Sequence, residues 1–172
     1  ELSVDQFDLD RIFGEEGAKI VHMSGLIAAL SPNTLQFCLD IAHKAKEYGS
    51  AVSFDINHRA SFWKGREQEL RDGFTEIAKQ CKILIGNEED FQLALGLAGP
   101  EAGGKDIAAK IEGFKAMINT AHEKFPEVEV FATTLREVID ANHHMWGAIL
   151  WADGQFYVAE PRDIGVLDRI GG

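Results

Sequence analysis

The chain has 172 residues, enough for one globular domain with a sizeable core. Hydrophobic residues make up 45% and charged residues 26%, an ordinary globular balance, and the formal net charge is −11. An acidic chain without a basic stripe is no general binder of nucleic acid or anionic membranes, although a local arginine, backbone amides or a bound cation can still receive a phosphorylated ligand. Cys38 and Cys81 fall far apart, in a helical pattern and at a strand start, and read as small buried hydrophobes of a reducing compartment. Glu1-Leu2-Ser3-Val4-Asp5 lacks the basic and apolar regions of a signal peptide, and no apolar run reaches about 18 residues, so a cytoplasmic protein is the expectation.

In chain order the pattern alternates between strands and helices. Ala18 to Met23 is a β-rich run closed by Ser24-Gly25. Ser31-Pro32-Asn33-Thr34 starts a helix in which Leu35, Cys38, Ile41, Ala42 and Ala45 recur at helical spacing, with Gly49 as its stop. A strand follows from about Ser50 to Asp55. The next helix runs from about Gly65 to Lys79, with Leu70, Phe74, Ile77 and Ala78 on one face. Lys82 to Ile85 is a strand ending at Gly86-Asn87, and Glu88 to Leu97 is a short helix. Beyond a glycine-rich loop, a long helix from about Lys105 to Lys124 places Ile107, Ile111, Phe114, Ile118 and Ala121 on one face. Val128 to Thr133 is the next strand. His144–Trp151 and Gln155–Val158 then flank Ala152-Asp153-Gly154, and Asp-Gly is a strong hairpin signal. The expected fold is α/β: a doubly wound, mainly parallel sheet with helices on both faces and an antiparallel hairpin at one edge.

Polar clusters stand where strands end, which is where α/β proteins build ligand sites. After Ala51-Val52-Ser53-Phe54 come Asp55, Asn57 and Arg59, spaced two apart, so an extended chain would present all three on one side. The guanidinium of Arg59 suits a carboxylate, a phosphate or a pair of polyol oxygens. The same residues also suit a capped turn with a solvated arginine. Asn87 followed by Glu88, Glu89 and Asp90 is a helix N-cap with acids in the first turn, and Asn87 with an acid could also hold a hydrated magnesium or a phosphate. Thr133, Thr134, Leu135 and Arg136 follow the next strand and could border a nucleotide or simply form a polar exit from the sheet. Asp168-Arg169-Ile170-Gly171-Gly172 sets an acid before a glycine pair whose amides can approach an anion. His143 and His144 would point to opposite faces of a strand and have no carboxylate or thiol at ligand spacing, so they are not read as a metal site.

Together these phrases resemble the ribokinase-like, PfkB-type carbohydrate kinases, and within them the 2-keto-3-deoxygluconate kinase group. The matching segments are His22 to Gly25 with Ile27 to Leu30, Phe54 to Arg59 with Phe62-Trp63, Gly86 to Asp90, Thr134 to Glu137, and Asp168 to Gly172, in the family's order over nearly the whole chain. The resemblance implies phosphorylation of a sugar acid by ATP with Mg2+, and by analogy with K+. It implies that Arg59, with Asn57 and Asp55, holds the sugar acid. Asn87 would lie near the phosphates and magnesium, and Thr134, Leu135 and Arg136 would border the nucleotide. Gly171 and Gly172 would form the anion hole, with Asp168 at a monovalent-cation position. Phosphoryl transfer agrees with such a set, since it needs positioning and charge stabilisation more than covalent chemistry.

The family pattern has Glu where Asp90 stands, Gly where Arg136 stands and Thr where Arg169 stands; the shorter Asp90 would reach magnesium through water. The chain is shorter than family members by a domain-scale length. The resemblance therefore implies the central part of a kinase domain over 1–172, without the N-terminal lid region, which in the family often mediates homo-oligomer formation. The C-terminal adenine region is also missing, and the catalytic Asp would fall two residues beyond Gly172. On that reading the 172 residues alone do not catalyse. Two other readings stay open: a non-catalytic sugar- or nucleotide-binding module of the same fold, and a fructokinase- or ribokinase-type enzyme with a neutral sugar. A nicotinamide-type dinucleotide domain ranks last, because no Gly-x-Gly-x-x-Gly follows the first strand.

Overall fold

A computed structural model describes residues 2–99 and 107–165, with the side chains of 107–109 left out. After helical turns at Val4–Gln6 and Arg11–Glu15, the chain runs β1 (Ile20–Ser24), α1 (Gly25–Ala29), α2 (Pro32–Glu47), β2 (Ala51–Asp55), α3 (Ala60–Trp63), α4 (Glu67–Ala78), β3 (Ile83–Ile85) and α5 (Glu88–Leu95). It continues with α6 (Ile107–Lys124), β4 (Val130–Val138), β5 (His143–Ala152) and β6 (Gln155–Gly165). Local signals account for several boundaries. Ser31 Oγ accepts from the Thr34 amide at 3.2 Å while Thr34 Oγ1 accepts from the Ser31 amide at 3.0 Å, and Pro32 opens α2. Gly49, at φ 75°, ends it. Asp153 and Gly154, both at positive φ, make the tight β5–β6 turn that the sequence predicts.

The strands form one sheet in the order β1-β2-β3-β4-β5-β6, with β1 to β4 parallel and the two hairpin strands antiparallel. This is the mixed, mostly parallel α/β sheet expected from the sequence. The expectation of helices on both faces is not met among the described residues. Right-handed crossovers between strands laid down in one continuous order all fall on the same side. A doubly wound sheet needs a reversal of strand order, and this sheet has none. Accordingly α4 packs against both α2 and α5.

The register separates the two faces. Met23, Phe54, Leu84, Phe131, Trp151 and Phe156 are successive cross-strand neighbours over all six strands, and this row lies under the helices. Phe54 meets Phe74 of α4 edge-on at 5.2 Å between centroids, Phe74 meets Trp63 at 5.0 Å, and Phe131 meets Trp151 at 5.7 Å. In the adjacent cross-strand row, Ser24, Asp55, Ile85, Ala132, Leu150 and Tyr157 lie on the opposite face, which no described helix covers. That face keeps Ile20 58% and Tyr157 52% exposed. Cys38 and Cys81 are both buried and unpaired, and burial raises both thiols, Cys38 to about 11. No helix among the described residues is long and apolar enough to cross a membrane.

Gly25, at the β1–α1 junction, allows the closest approach in the core. A Cβ there would overlap the Ile56 carbonyl oxygen and come within 2.7 Å of the Phe74 ring. Gly25→Ala is therefore expected to lower stability by about 1–3 kcal/mol through overpacking. Denaturant unfolding checks this, and an unchanged midpoint would show that the junction relaxes freely.

Candidate functional site

The carboxyl ends of β2, β3 and β4 meet at the open face of the sheet, around a hollow of about 300 Å³. Its floor includes Ile85, Ala132, Ala148 and Leu150, and its polar rim includes Asp55, Asn87, Asp90 and Thr134. Of the residues singled out in the sequence, the fold thus brings Asp55, Asn87, Asp90, Thr133 and Thr134 together. Backbone bonds extend the sheet into the loops and fix the rim: the Ile56 amide donates to the Ile85 carbonyl at 2.8 Å, and the Gly86 amide to the Ala132 carbonyl at 3.1 Å.

Asp90 organises this rim. Its side chain is buried, at 6% exposure, and both oxygens accept backbone amides: Oδ1 from His58 at 2.8 Å and Oδ2 from Asn87 at 2.8 Å. Asn87 Oδ1 in turn accepts the Asp90 amide at 2.8 Å, which completes a reciprocal cap at the start of α5. The N-cap reading of Asn87-Glu88-Glu89-Asp90 is therefore realised, and the same residues stand at the rim of the hollow. One carboxylate joins the turn after β2 to the turn after β3.

The fan expected for Asp55, Asn57 and Arg59 takes a different form. The strand ends at Asp55, and Asn57 adopts φ 42°, so the two-residue alternation stops before it reaches Arg59. Asp55 alone lines the hollow. Asn57 turns back, and its Nδ2 donates to Ser24 Oγ at 3.1 Å; Ser24 also caps α1. Arg59 stands exposed at the start of α3, and its Nη1 donates to the His58 carbonyl at 3.2 Å. It forms no ion pair among the described residues, which leaves its fork open to a ligand. His58 packs against Trp63 with the rings tilted by 55° and their centroids 4.7 Å apart, and burial lowers its imidazole below the usual histidine range. Burial, and then the neighbouring Asp90 carboxylate, hold the Asp55 carboxyl above the usual carboxylate range.

Thr134, Leu135 and Arg136 lie within β4, which runs to Val138, rather than after a strand as the sequence suggests. A strand alternates its faces, so Thr134 and Arg136 face the open side while Leu135, 1% exposed, fills the core. Leu135 can offer a ligand only its backbone. Arg136 holds its guanidinium 5.8 Å over the Trp146 ring, and its carbonyl accepts from Lys110 Nζ at 3.1 Å. Lys110 was not singled out in the sequence. It is 9% exposed, pairs with Glu88 at 3.6 Å and ties α6 to the start of α5 and the end of β4. The signal for it was a lysine on the apolar stripe, three residues before Gly113-Phe114 and one before Ile111. Asp168, Gly171 and Gly172 lie outside the described residues. No group of three or more metal-ligating side chains is arranged to hold a metal among the described residues.

No protein-family model matches the chain. Among solved structures, 2-dehydro-3-deoxygluconokinase of Thermotoga maritima is similar to it with a TM-score of 0.84 and 26% identity, over 99% of this chain and 49% of the other. A PfkB family carbohydrate kinase from Listeria grayi is similar with a TM-score of 0.73 and 26% identity, over 93% of this chain and 45% of the other. In sequence, the 5-dehydro-2-deoxygluconokinase of Clostridium beijerinckii is 31% identical over 110 residues, 64% of this chain and 31% of that protein. The chain spans about half the length of these solved structures and about a third of the curated relative.

Two predictions follow from the rim. Asp90→Ala leaves the partly buried His58 and Asn87 amides without their acceptor and is expected to cost about 2 kcal/mol, with Asp90→Asn, which keeps one acceptor, losing about half of that; denaturant unfolding measures both. For Asp55 the folded pKa lies above the unfolded value near 3.8. The stability contribution is thus intact below 3.8 and is lost as pH rises through the raised folded value. Asp55→Asn is expected to raise Tm at neutral pH, with the advantage vanishing below the unfolded value. A Tm difference that does not vary with pH would contradict this.

Proposed function

We propose that this chain, which belongs to the ribokinase-like (PfkB) carbohydrate kinase family, is part of an ATP-dependent kinase that phosphorylates a hydroxyl of a sugar acid. The observation that carries the proposal is the joining of two strand-end turns by one buried carboxylate: Asp90 holds the turn leading to Arg59 and the turn leading to Asn87. On this reading the first turn serves the sugar and the second the phosphates. Arg59 grips the carboxylate end of the sugar acid, and Asp55 and Asn57 serve its hydroxyls. Asp55, half-buried and held above its usual range, is suited to accept a hydroxyl's hydrogen bond. Thr134 and Arg136 border the nucleotide with their side chains, and Leu135 with its backbone.

The rim also fits a hydrated Mg2+. Asp90 already accepts two amides, so it has lone pairs for a water rather than a free carboxylate for direct ligation, and magnesium tends to keep its waters. Bound there with ATP, the ion would neutralise phosphate charge. Gly171, Gly172 and Asp168 keep the roles that the resemblance implies, the anion hole and a K+ position, as part of the proposal. The two kinds of relative are named for different dehydro-deoxygluconates, and both are keto sugar acids that a guanidinium at Arg59 would suit. Two buried free cysteines are in keeping with a reducing, cytoplasmic setting.

The test uses the full-length parent with ATP, Mg2+ and a panel of 2-keto-3-deoxygluconate, 5-dehydro-2-deoxygluconate, fructose and ribose. Turnover of a keto sugar acid is expected. Turnover of only the neutral sugars would overturn the substrate class, and no transfer to any member would overturn the kinase assignment. Arg59→Ala is expected to raise the sugar-acid KM roughly 10- to 100-fold, the worth of a charge-assisted pair, with little effect on the ATP KM.

A further inference from the structure

Next to the hollow on the same open face, three residues stand in one cross-strand row: Arg136 of β4, Trp146 of β5 and Arg162 of β6. The row lies one same-face step beyond Thr134 and Ala148, which line the hollow. Arg162 reaches it only through an irregularity. Up to Ala148↔Ala159 the β5–β6 register is regular; then Gly147 alone stands opposite Glu160 and Pro161, and pairing resumes at Trp146↔Arg162. Had the regular register simply continued past Ala148↔Ala159, Trp146 would face Pro161, and Arg162 would lie against Met145 on the opposite face. The bulge reverses the phase of β6 and turns Arg162 toward Trp146, as bulges beside sites often do. The sequence supports it locally. Pro161 has no amide to lose at a bulge, and a Cβ on Gly147 would lie 3.1 Å from the Ala159 carbonyl oxygen and 3.3 Å from the Pro161 ring.

The same phase sorts charge. Glu137 and Asp163 both pair with Met145, on the side away from the row, while the two arginines share the open side. Both are exposed, and neither forms an ion pair among the described residues. Their strands are two spacings apart, about 10 Å, with an indole between them. Two unpaired guanidinia so placed in a chain of net charge −11 suit an anion long enough to reach both.

We infer that Arg136, Trp146 and Arg162 form a polyphosphate-binding strip, with the bulge at Gly147 as the device that places Arg162 in it. The inference rests on the reading of β4 as the nucleotide border and extends that border to two strands outside it. Arg136 is oriented by its stacking over Trp146, and Arg162 supplies the second cation.

The test is titration calorimetry of this chain with sodium tripolyphosphate and, separately, with ATP, with tryptophan fluorescence of the wild type and of Trp146→Phe as a local reporter. Arg162→Ala and Arg136→Ala are each expected to weaken tripolyphosphate binding roughly 5- to 10-fold, with a shallower salt dependence. Wild type that does not bind tripolyphosphate, or Arg162→Ala that binds it as wild type does, overturns the strip. Unchanged ATP binding in Arg162→Ala overturns the strip and leaves the kinase reading standing. Tripolyphosphate binding that depends on Arg162, in a protein whose parent phosphorylates no sugar, upholds the strip and overturns the kinase reading.

Discussion

The Asp90 carboxylate is the constraint on which the rest of the site depends. It is withdrawn from water and accepts two backbone amides from two different strand-end turns. Partly buried amides that lose such an acceptor are costly, so the two turns are held together more tightly than exposed loops would be. Gly86 makes the approach feasible: a Cβ there would lie 3.0 Å from the Asp90 side chain and 3.2 Å from Ile56. With the Ile56 and Gly86 amides bonded to the neighbouring strands, the ends of β2, β3 and β4 behave as one rigid rim. A site in which one group must face another at a set distance needs such a rim.

Charge is distributed to match. The acidic surface is threaded with ordinary ion pairs, such as Lys44 with Asp10 and Arg66 with Glu69 at 2.8 Å each. These exposed pairs contribute little to stability. Arg59, Arg136 and Arg162, by contrast, have no carboxylate partner among the described residues and all stand at the carboxyl-end rim or on the open face beside it. Lys110 is a cation of another kind. Enclosed between Glu88 and the Arg136 carbonyl, it joins α6, α5 and β4 beneath the rim.

Much of the fold was legible because period and punctuation agree. The α2 cap at Ser31, the apolar runs of β2 and β3 and the Asp153-Gly154 turn each carry a local signal that tertiary contacts reinforce. Strand order has no local signal. Helices on both faces were expected because apolar strands read as buried on both sides, whereas the register leaves the row through Asp55, Ile85 and Ala132 uncovered by the described helices. The end of β4 was also placed too early. Thr134 and Arg136 are polar, so they read as an exit, but a strand with one open face alternates polar and apolar residues, and Leu135 marks the buried side. Asn57 could not be read as left-handed from its neighbours alone; asparagine tolerates that conformation, and in it the side chain reaches back to Ser24. The cluster of Asp55, Asn87 and Asp90 was legible as residues, and its geometry was not, because it depends on amides reaching between turns 32 residues apart.

Backbone hydrogen exchange of the His58 and Asn87 amides tests the central claim most directly. If one carboxylate holds both turns, the two amides are protected to a similar degree in the wild type and lose protection together in Asp90→Ala, while amides in the middle of β2 keep theirs. A His58 amide that exchanges as fast as an exposed loop in the wild type, or two amides that respond independently to the substitution, would contradict the account.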